Sequence, residues 1–223
     1  MNSKAVVPTL VHGNQVITES NVILEYLDDA FPEPVLRPRT AHGRARMRLL
    51  LMRLDSGSDG IHHDISVITY GAAYRLQLLE RVGNRDREAI DAEIDRSMNA
   101  NSKRWLQETV HEGTEAESFK KAICNMDALL GDFETMLMRS DWLCGPDYSL
   151  ADLAYTSYMT RLEMLNFQGM WSERPRVRSW YERLKDRSSY RNGILDWLNP
   201  DAVKVLDEGG RAAWPEVRKI LTF

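Results

Sequence analysis

Cysteine is scarce: only Cys124 and Cys144 occur in 223 residues. Their separation is not a metal-ligand spacing and two thiols form no repeated pairing pattern. Free thiols in a reducing compartment are therefore expected rather than a disulfide framework. Also lacking are a basic stretch leading into an apolar segment and any apolar run of about 18 residues, so a soluble, unexported, cytoplasmic chain is expected. Positive charge is not in excess either. Lys and Arg number 29 against 33 Asp and Glu, a formal net charge of −4, which gives no case for nucleic acid or an anionic membrane surface as partner. The two signs are interleaved, as on solvated helix faces. No internal repeat and no low-complexity segment is present.

What is present organises simply. The length suffices for a sizeable core, in one large domain or two small ones. β-Structure is confined to the beginning. Val6-Val7-Pro8-Thr9-Leu10-Val11 is β-prone, with Pro8 barring a central strand position before Thr9. His12-Gly13-Asn14 reads as a turn and Gln15-Val16-Ile17-Thr18 as a second strand, together a hairpin. Ser20 is then placed to cap a helix with Ile23, Tyr26, Leu27 and Ala30 on one face. Pro32, Pro34 and Pro38 end that helix and stiffen a connector.

Everything after the connector reads as helix. Ala41 to Leu54 carries Met47, Leu50, Leu51 and Leu54 in a stripe, and Ser56-Gly57-Ser58-Asp59-Gly60 breaks it. Ile61, Ile65, Ile68, Ala72, Leu76 and Leu79 then recur at helical steps. A further helix is expected from near Asp86, with Ile90, Ile94 and Trp105, and another over Glu115 to Met138. Ser149 and Pro175 mark two more helix starts. The architecture is mostly α: a small α+β piece followed by an all-helical domain.

Three motifs in this order resemble the cytosolic glutathione transferase superfamily. Val7-Pro8-Thr9-Leu10 is similar to its loop with a cis proline, and Thr18-Glu19-Ser20 to its γ-glutamyl-binding corner. Gly145-Pro146-Asp147-Tyr148-Ser149-Leu150-Ala151-Asp152 is similar to the capping box and buried Asp of its helical domain. Trp180-Tyr181-Glu182-Arg183-Leu184, within Arg176 to Tyr190, looks like that domain's penultimate helix. The resemblance covers nearly the whole chain and leans toward bacterial members, including those that cleave β-aryl ethers. It implies a partial thioredoxin-like piece over 1–33, a linker over 34–39 and an all-α domain over 40–223.

The same resemblance implies glutathione as co-substrate, held by Val7, Pro8, Glu19 and Ser20, and a small apolar electrophile as second substrate. Physical chemistry suits that corner. A helix N-terminus offers N–H groups, a hydroxyl and a positive dipole end to the tripeptide's α-carboxylate. Glu19 pairs with its ammonium, and the main chain at Val7 forms a short β-type ladder with the cysteinyl part. Ile61, His62, Ile65, Ile68 and Tyr70 are the implied acceptor pocket. A homodimer through the helix of Ala41 to Leu54 is also implied, with Met52 lying apolar outside the stripe.

In that family a strand-helix-strand unit precedes the proline loop and carries the Ser, Cys or Tyr that activates the sulfur. Only Met1 to Val6 precede Val7 here, so no catalytic residue is carried over; Tyr26 and Tyr70 sit on helices elsewhere. A thiol with pKa near 8.5 is mostly protonated at neutral pH, so conjugation needs a thiolate-stabilising group. Two explanations stand side by side: Met1 is an internal methionine, or the chain is a half-domain variant acting as a binding or dimerisation module.

Other constellations are read as structural. Ser149 and Asp152 form a capping box, a folding device rather than a catalytic pair. Asp59 and His63 share a helix face, His62 points away, and no third ligand stands at good spacing, so no metal is expected. Tyr190, Trp197, Trp214 and Phe223 form an aromatic tail expected to pack on the helical core, and the ten Met residues are gap fillers.

Overall fold

The computed structural model describes residues 7–81, 87–97 and 100–222. Val6 of the expected first strand, the expected helix start at Asp86, and Phe223 lie outside them. Strand β1 (Thr9–His12) pairs antiparallel with β2 (Gln15–Thr18), from Thr9 opposite Thr18 to His12 opposite Gln15. Gly13 takes φ +60° at the first of the two turn positions, where a type II′ hairpin turn needs a residue without Cβ.

Helix α1 (Ser20–Ala30) follows at once and buries Ile23 and Asp28. The expected cap is shifted by one residue. Glu19, not Ser20, is the cap residue, at φ 69° and ψ 115°, and its carbonyl accepts the first helical bond from Ile23 at 2.9 Å. Ser20 already has helical backbone, so its hydroxyl makes no capping bond. Asp28, 4% exposed, accepts from Leu36 N–H at 2.8 Å and pairs with Arg37, which folds the proline-rich connector back on α1. The connector then docks on the helical part through Leu150 N–H to Leu36 C=O, 3.0 Å.

Among the described residues the rest is helical: α2 (Ala41–Leu54), α3 (Ile61–Thr69), a π-helical segment (Tyr70–Tyr74) and α4 (Arg75–Arg81). Then come α5 (Arg87–Ser97), α6 (Ala100–Glu112), α7 (Glu117–Met136) and α8 (Leu150–Met164). The chain ends in α9 (Pro175–Lys185), α10 (Ser188–Gly193) and α11 (Pro200–Ile220). Helix α3 lies on α7, and α2 on α8. Their apolar stripes meet in one core in which Phe133 packs edge-on against Tyr155 and Trp180, with centroids 4.9 and 5.5 Å away. Each such buried ring contributes about 2–3 kcal/mol by removal from water.

The apolar series from Ile61 through Ile65, Ile68 and Ala72 points inward, but Leu76 is 50% exposed. Helix α11 packs directly on the π segment. A Cβ on Gly209 would stand 2.6 Å from Ala73 Cα, and one on Gly210 1.9 Å from Leu165 C=O. These two glycines bring backbone against backbone and set the C-terminal helix in place. Of the aromatic tail, Tyr190 is buried and Trp214 packs against Phe167 at 5.7 Å, whereas Trp197 is 81% exposed.

Candidate functional site

The ladder stops at Thr9 and Thr18, so Pro8 and Glu19 emerge side by side at the open end of the hairpin. The Val7–Pro8 peptide is cis, and Val7 is 92% exposed. Glu19 and Ser20 are exposed as well. A positive φ on a glutamate costs about 1–3 kcal/mol and persists only where its surroundings impose it. Here the imposing elements are the strand before Glu19 and the tethered helix after it. Asn21 Nδ2 donates to Leu51 C=O at 2.8 Å and to Asp55 Oδ2 at 2.5 Å, fixing the first turn of α1 to the end of α2. The strained turn presents the Glu19 carboxylate beside the exposed Ser20 hydroxyl and the first-turn N–H groups of α1. An α-amino acid end, one ammonium and one carboxylate, matches that pair of opposite features.

A second feature lies between α3 with its π segment and α8. It is a cavity of about 310 Å³, bounded by His62, Ile65, Tyr70, Tyr74, Tyr158 and Arg161. Three of the five sequence-derived pocket residues, His62, Ile65 and Tyr70, line it. Ile61 and Ile68, 2% and 0% exposed, are in the core beneath. Tyr74, Tyr158 and Arg161 were missed. Tyr70 and Tyr74 stand four apart on one helix face, a signal open to notice; Tyr158 and Arg161 lie on a helix buried on most sides, which gives no such signal.

Burial pushes the Tyr158 phenol up to about 12 and raises that of Tyr70 as well, so both remain protonated donors. The Arg161 guanidinium lies 5.9 Å over the Tyr74 ring, and its Nη1 donates to the Tyr74 hydroxyl at 3.1 Å.

Two buried acids underlie these surfaces. Asp152, 0% exposed, accepts from Leu143 N–H (2.9 Å) and Trp180 Nε1–H (2.9 Å) on Oδ1, and from Ser149 N–H (3.0 Å) and Ser149 Oγ–H (2.8 Å) on Oδ2. The capping box of α8 is thus formed, and burial raises the Asp152 pKa against the pull of those donors. Nothing reaches it from either surface feature, in keeping with a folding role. Asp64, 3% exposed, accepts from Asn125 Nδ2 at 3.2 Å on both oxygens, and burial lifts its pKa from 3.8 to about 6. It was not anticipated from the sequence.

Beside the Glu19 corner runs a groove of about 600 Å³ between α1 and α2, bounded by Val22, Glu25, Arg48, Leu51, Met52 and Asp55. Val22, Leu49 and Met52, on the same two helices, are 55%, 66% and 67% exposed.

Comparison with known proteins identifies the family. The glutathione S-transferase N-terminal domain matches residues 1–35, and the glutathione S-transferase C-terminal domain matches residues 101–200. Together they take in more than half of the chain, which belongs to the glutathione S-transferase superfamily. Among curated relatives, tetrachloro-p-hydroquinone reductive dehalogenase of Sphingobium chlorophenolicum is 29% identical over 200 residues, 85% of this chain and 75% of that protein. FtsZ-localized protein A of Caulobacter vibrioides is 26% identical over 200 residues, 88% of this chain and 73% of that protein. The crystal structure of beta-etherase LigF from Sphingobium sp. strain SYK-6 superposes with a TM-score of 0.68 at 24% identity, over 85% of this chain and 78% of that one. That likeness shows the shared fold.

Proposed function

We propose that this chain binds glutathione at the Val7–Pro8 and Glu19–Ser20 corner and presents it to a small electrophile in the cavity between α3 and α8. The observation that carries the reading is the positive φ of Glu19 at the meeting of a cis-proline loop and a helix N-terminus. Glu19 pairs with the γ-glutamyl ammonium. The Ser20 hydroxyl and the first-turn N–H groups of α1 hold the neighbouring carboxylate, and Val7 aligns the cysteinyl main chain. Glutathione, when bound, supplies a thiolate that forms a carbon–sulfur bond while the electrophile's leaving group departs with its electron pair. The tyrosines of the cavity position that electrophile and exclude water from it. No residue of this chain is assigned to stabilise the thiolate. The proposed setting is the cytoplasm, and the proposed assembly is a homodimer through the α1–α2 face.

A second reading, a binding module without turnover, draws on that same apolar face and on the similarity to a protein named for its localisation with another protein. Isothermal titration of glutathione discriminates. Wild type is expected to bind at about 1 mM, or about −4 kcal/mol. Glu19→Gln loses several-fold by removing the charge opposite the ammonium. Ser20→Ala also binds worse, yet melts as wild type does because its hydroxyl is no cap. Unchanged affinity in both variants would sink the glutathione reading and favour the module.

A further inference from the structure

The cavity between α3 and α8 has an electrostatic character that an apolar acceptor does not need. Among its lining residues the only permanent charge is Arg161, and no acid lines it. Arg161 is half-buried, and its one partner among the described residues is the Tyr74 hydroxyl, a neutral acceptor. Elsewhere, half-buried cations meet an acid, as Arg37 with Asp28 and Asp29, Arg174 with Asp127 and Lys185 with Glu163, or a main-chain carbonyl, as Arg75 with Val110 and Arg183 with Asp141. A guanidinium has five N–H donors in a planar fork, and one donation to a phenol leaves most of that fork without a partner among the described residues.

The hydroxyls around it extend the pattern. Ser66, Thr69 and Ser157 donate back to the helix carbonyls of His62, Ile65 and Ala154 and are occupied. Tyr70 and Tyr158 make no hydrogen bond through their hydroxyls among the described residues, and Tyr74 only accepts. The phenols are donors, and their rings line the cavity together with the guanidinium. Such a lining rewards a flat ring that ends in an acceptor-only anionic group.

We infer that the cavity takes an aromatic carboxylate, its ring among Tyr70, Tyr74 and Tyr158 and its carboxylate on the fork of Arg161. The inference rests on the reading of this cavity as the acceptor site and replaces the apolar electrophile by an anionic aryl compound. About 310 Å³ is at the small end of ligand cavities and suits one or two fused rings. A carboxylate there completes the charge pairing that Arg161 lacks, whereas a neutral isostere leaves the guanidinium half-desolvated and unmatched.

The test measures affinity for naphthalene-2-carboxylate and naphthalene-2-carboxamide by titration on the full chain, with glutathione titrated separately. Wild type should prefer the acid about tenfold, a difference of about 1.4 kcal/mol. Arg161→Met should bring the ratio to about 1 to 2, and Arg161→Lys, a point charge without the fork, should fall between. Because Arg161 also touches Tyr74, Tyr74→Phe is the control: it keeps the fork and should keep the preference, and melting curves report folding of every variant. Equal binding of acid and amide by wild type, a preference that survives Arg161→Met in a folded protein, or no binding of either probe overturns the inference. Glutathione binding with no acid preference leaves the transferase reading standing and removes this one. An Arg161-dependent acid preference without glutathione binding supports the anionic site and removes the transferase reading instead.

Discussion

Asp152 offers the sharpest test of how the helical part is held together. Among the described residues its carboxylate is the sole acceptor for Leu143 N–H, Trp180 Nε1–H and Ser149 N–H, and it also takes the Ser149 hydroxyl proton. Asp152→Asn keeps the shape and one oxygen, enough for two of these donors. Its amide NH2 then faces the other two. The Ser149 hydroxyl escapes by turning to accept; the Ser149 N–H cannot. One orphaned buried donor costs about 1–3 kcal/mol, and the surviving bonds lose their charge assistance at about 1 kcal/mol each. Relief from burying a charge offsets part of this, leaving a net loss of roughly 2–4 kcal/mol. Asp152→Ala orphans all three N–H groups and leaves a void, a loss beyond roughly 5 kcal/mol that is comparable to the whole stability of a domain. Trp180→Phe removes one donor together with its need for an acceptor and should cost less than Asp152→Asn. Urea unfolding followed by tryptophan fluorescence and far-UV circular dichroism measures all three. Asp152→Asn within about 0.5 kcal/mol of wild type, or Trp180→Phe costing as much as Asp152→Asn, would refute the accounting.

Asp64→Asn should make stability less dependent on pH. The folded carboxyl keeps its proton up to about pH 6 while the unfolded one releases it near 3.8, so its contribution is full below that lower value and declines as pH rises through about 6. A displacement of that size sets a ceiling of about 3 kcal/mol, reduced by the bonds lost to Asn125. The variant should therefore gain about 1–2 kcal/mol relative to wild type between pH 4 and pH 7.5, and an equal difference at both pH values in urea unfolding would count against it. Met52→Glu, on the exposed α1–α2 face, should shift light scattering from about twice 25.7 kDa to 25.7 kDa. A wild-type monomer, or a variant that stays dimeric, would remove that face as the interface.

The hairpin, the proline connector and the apolar stripes of α2, α3 and α7 are written in local residue chemistry, and each is recoverable from it. Gly13 demands a turn; Phe119, Ile123, Met126, Leu130 and Phe133 keep helical period through α7, and all are buried. What was not legible depends on partners distant in sequence. Glu19 stands out in the sequence by resemblance, but glutamate has no preference for positive φ, so its strained cap position is legible only once the strand before it and Asn21 after it are both anchored. Asp28 and Asp64 read as solvent-facing acids because unpaired carboxylates avoid cores; their partners, Leu36 with Arg37 and Asn125, come from elsewhere in the fold. Helix α8 buries residues around most of its circumference, so periodicity could not say that Tyr158 and Arg161 face a cavity.

The π segment has a consequence best put in terms of descent and deletion. It is an α-helix carrying one residue too many. The wider turn takes up that residue within one loop of the helix, so removing Ala72 or Ala73 would leave Arg75–Arg81 facing as it does now. What the deletion would change lies inside the turn: Ala72 and Ala73, the buried pair against which Gly209 of α11 is seated, would lose one member. A single inserted codon can thus widen a helix at the seat of the C-terminal helix without turning the helix on either side of it.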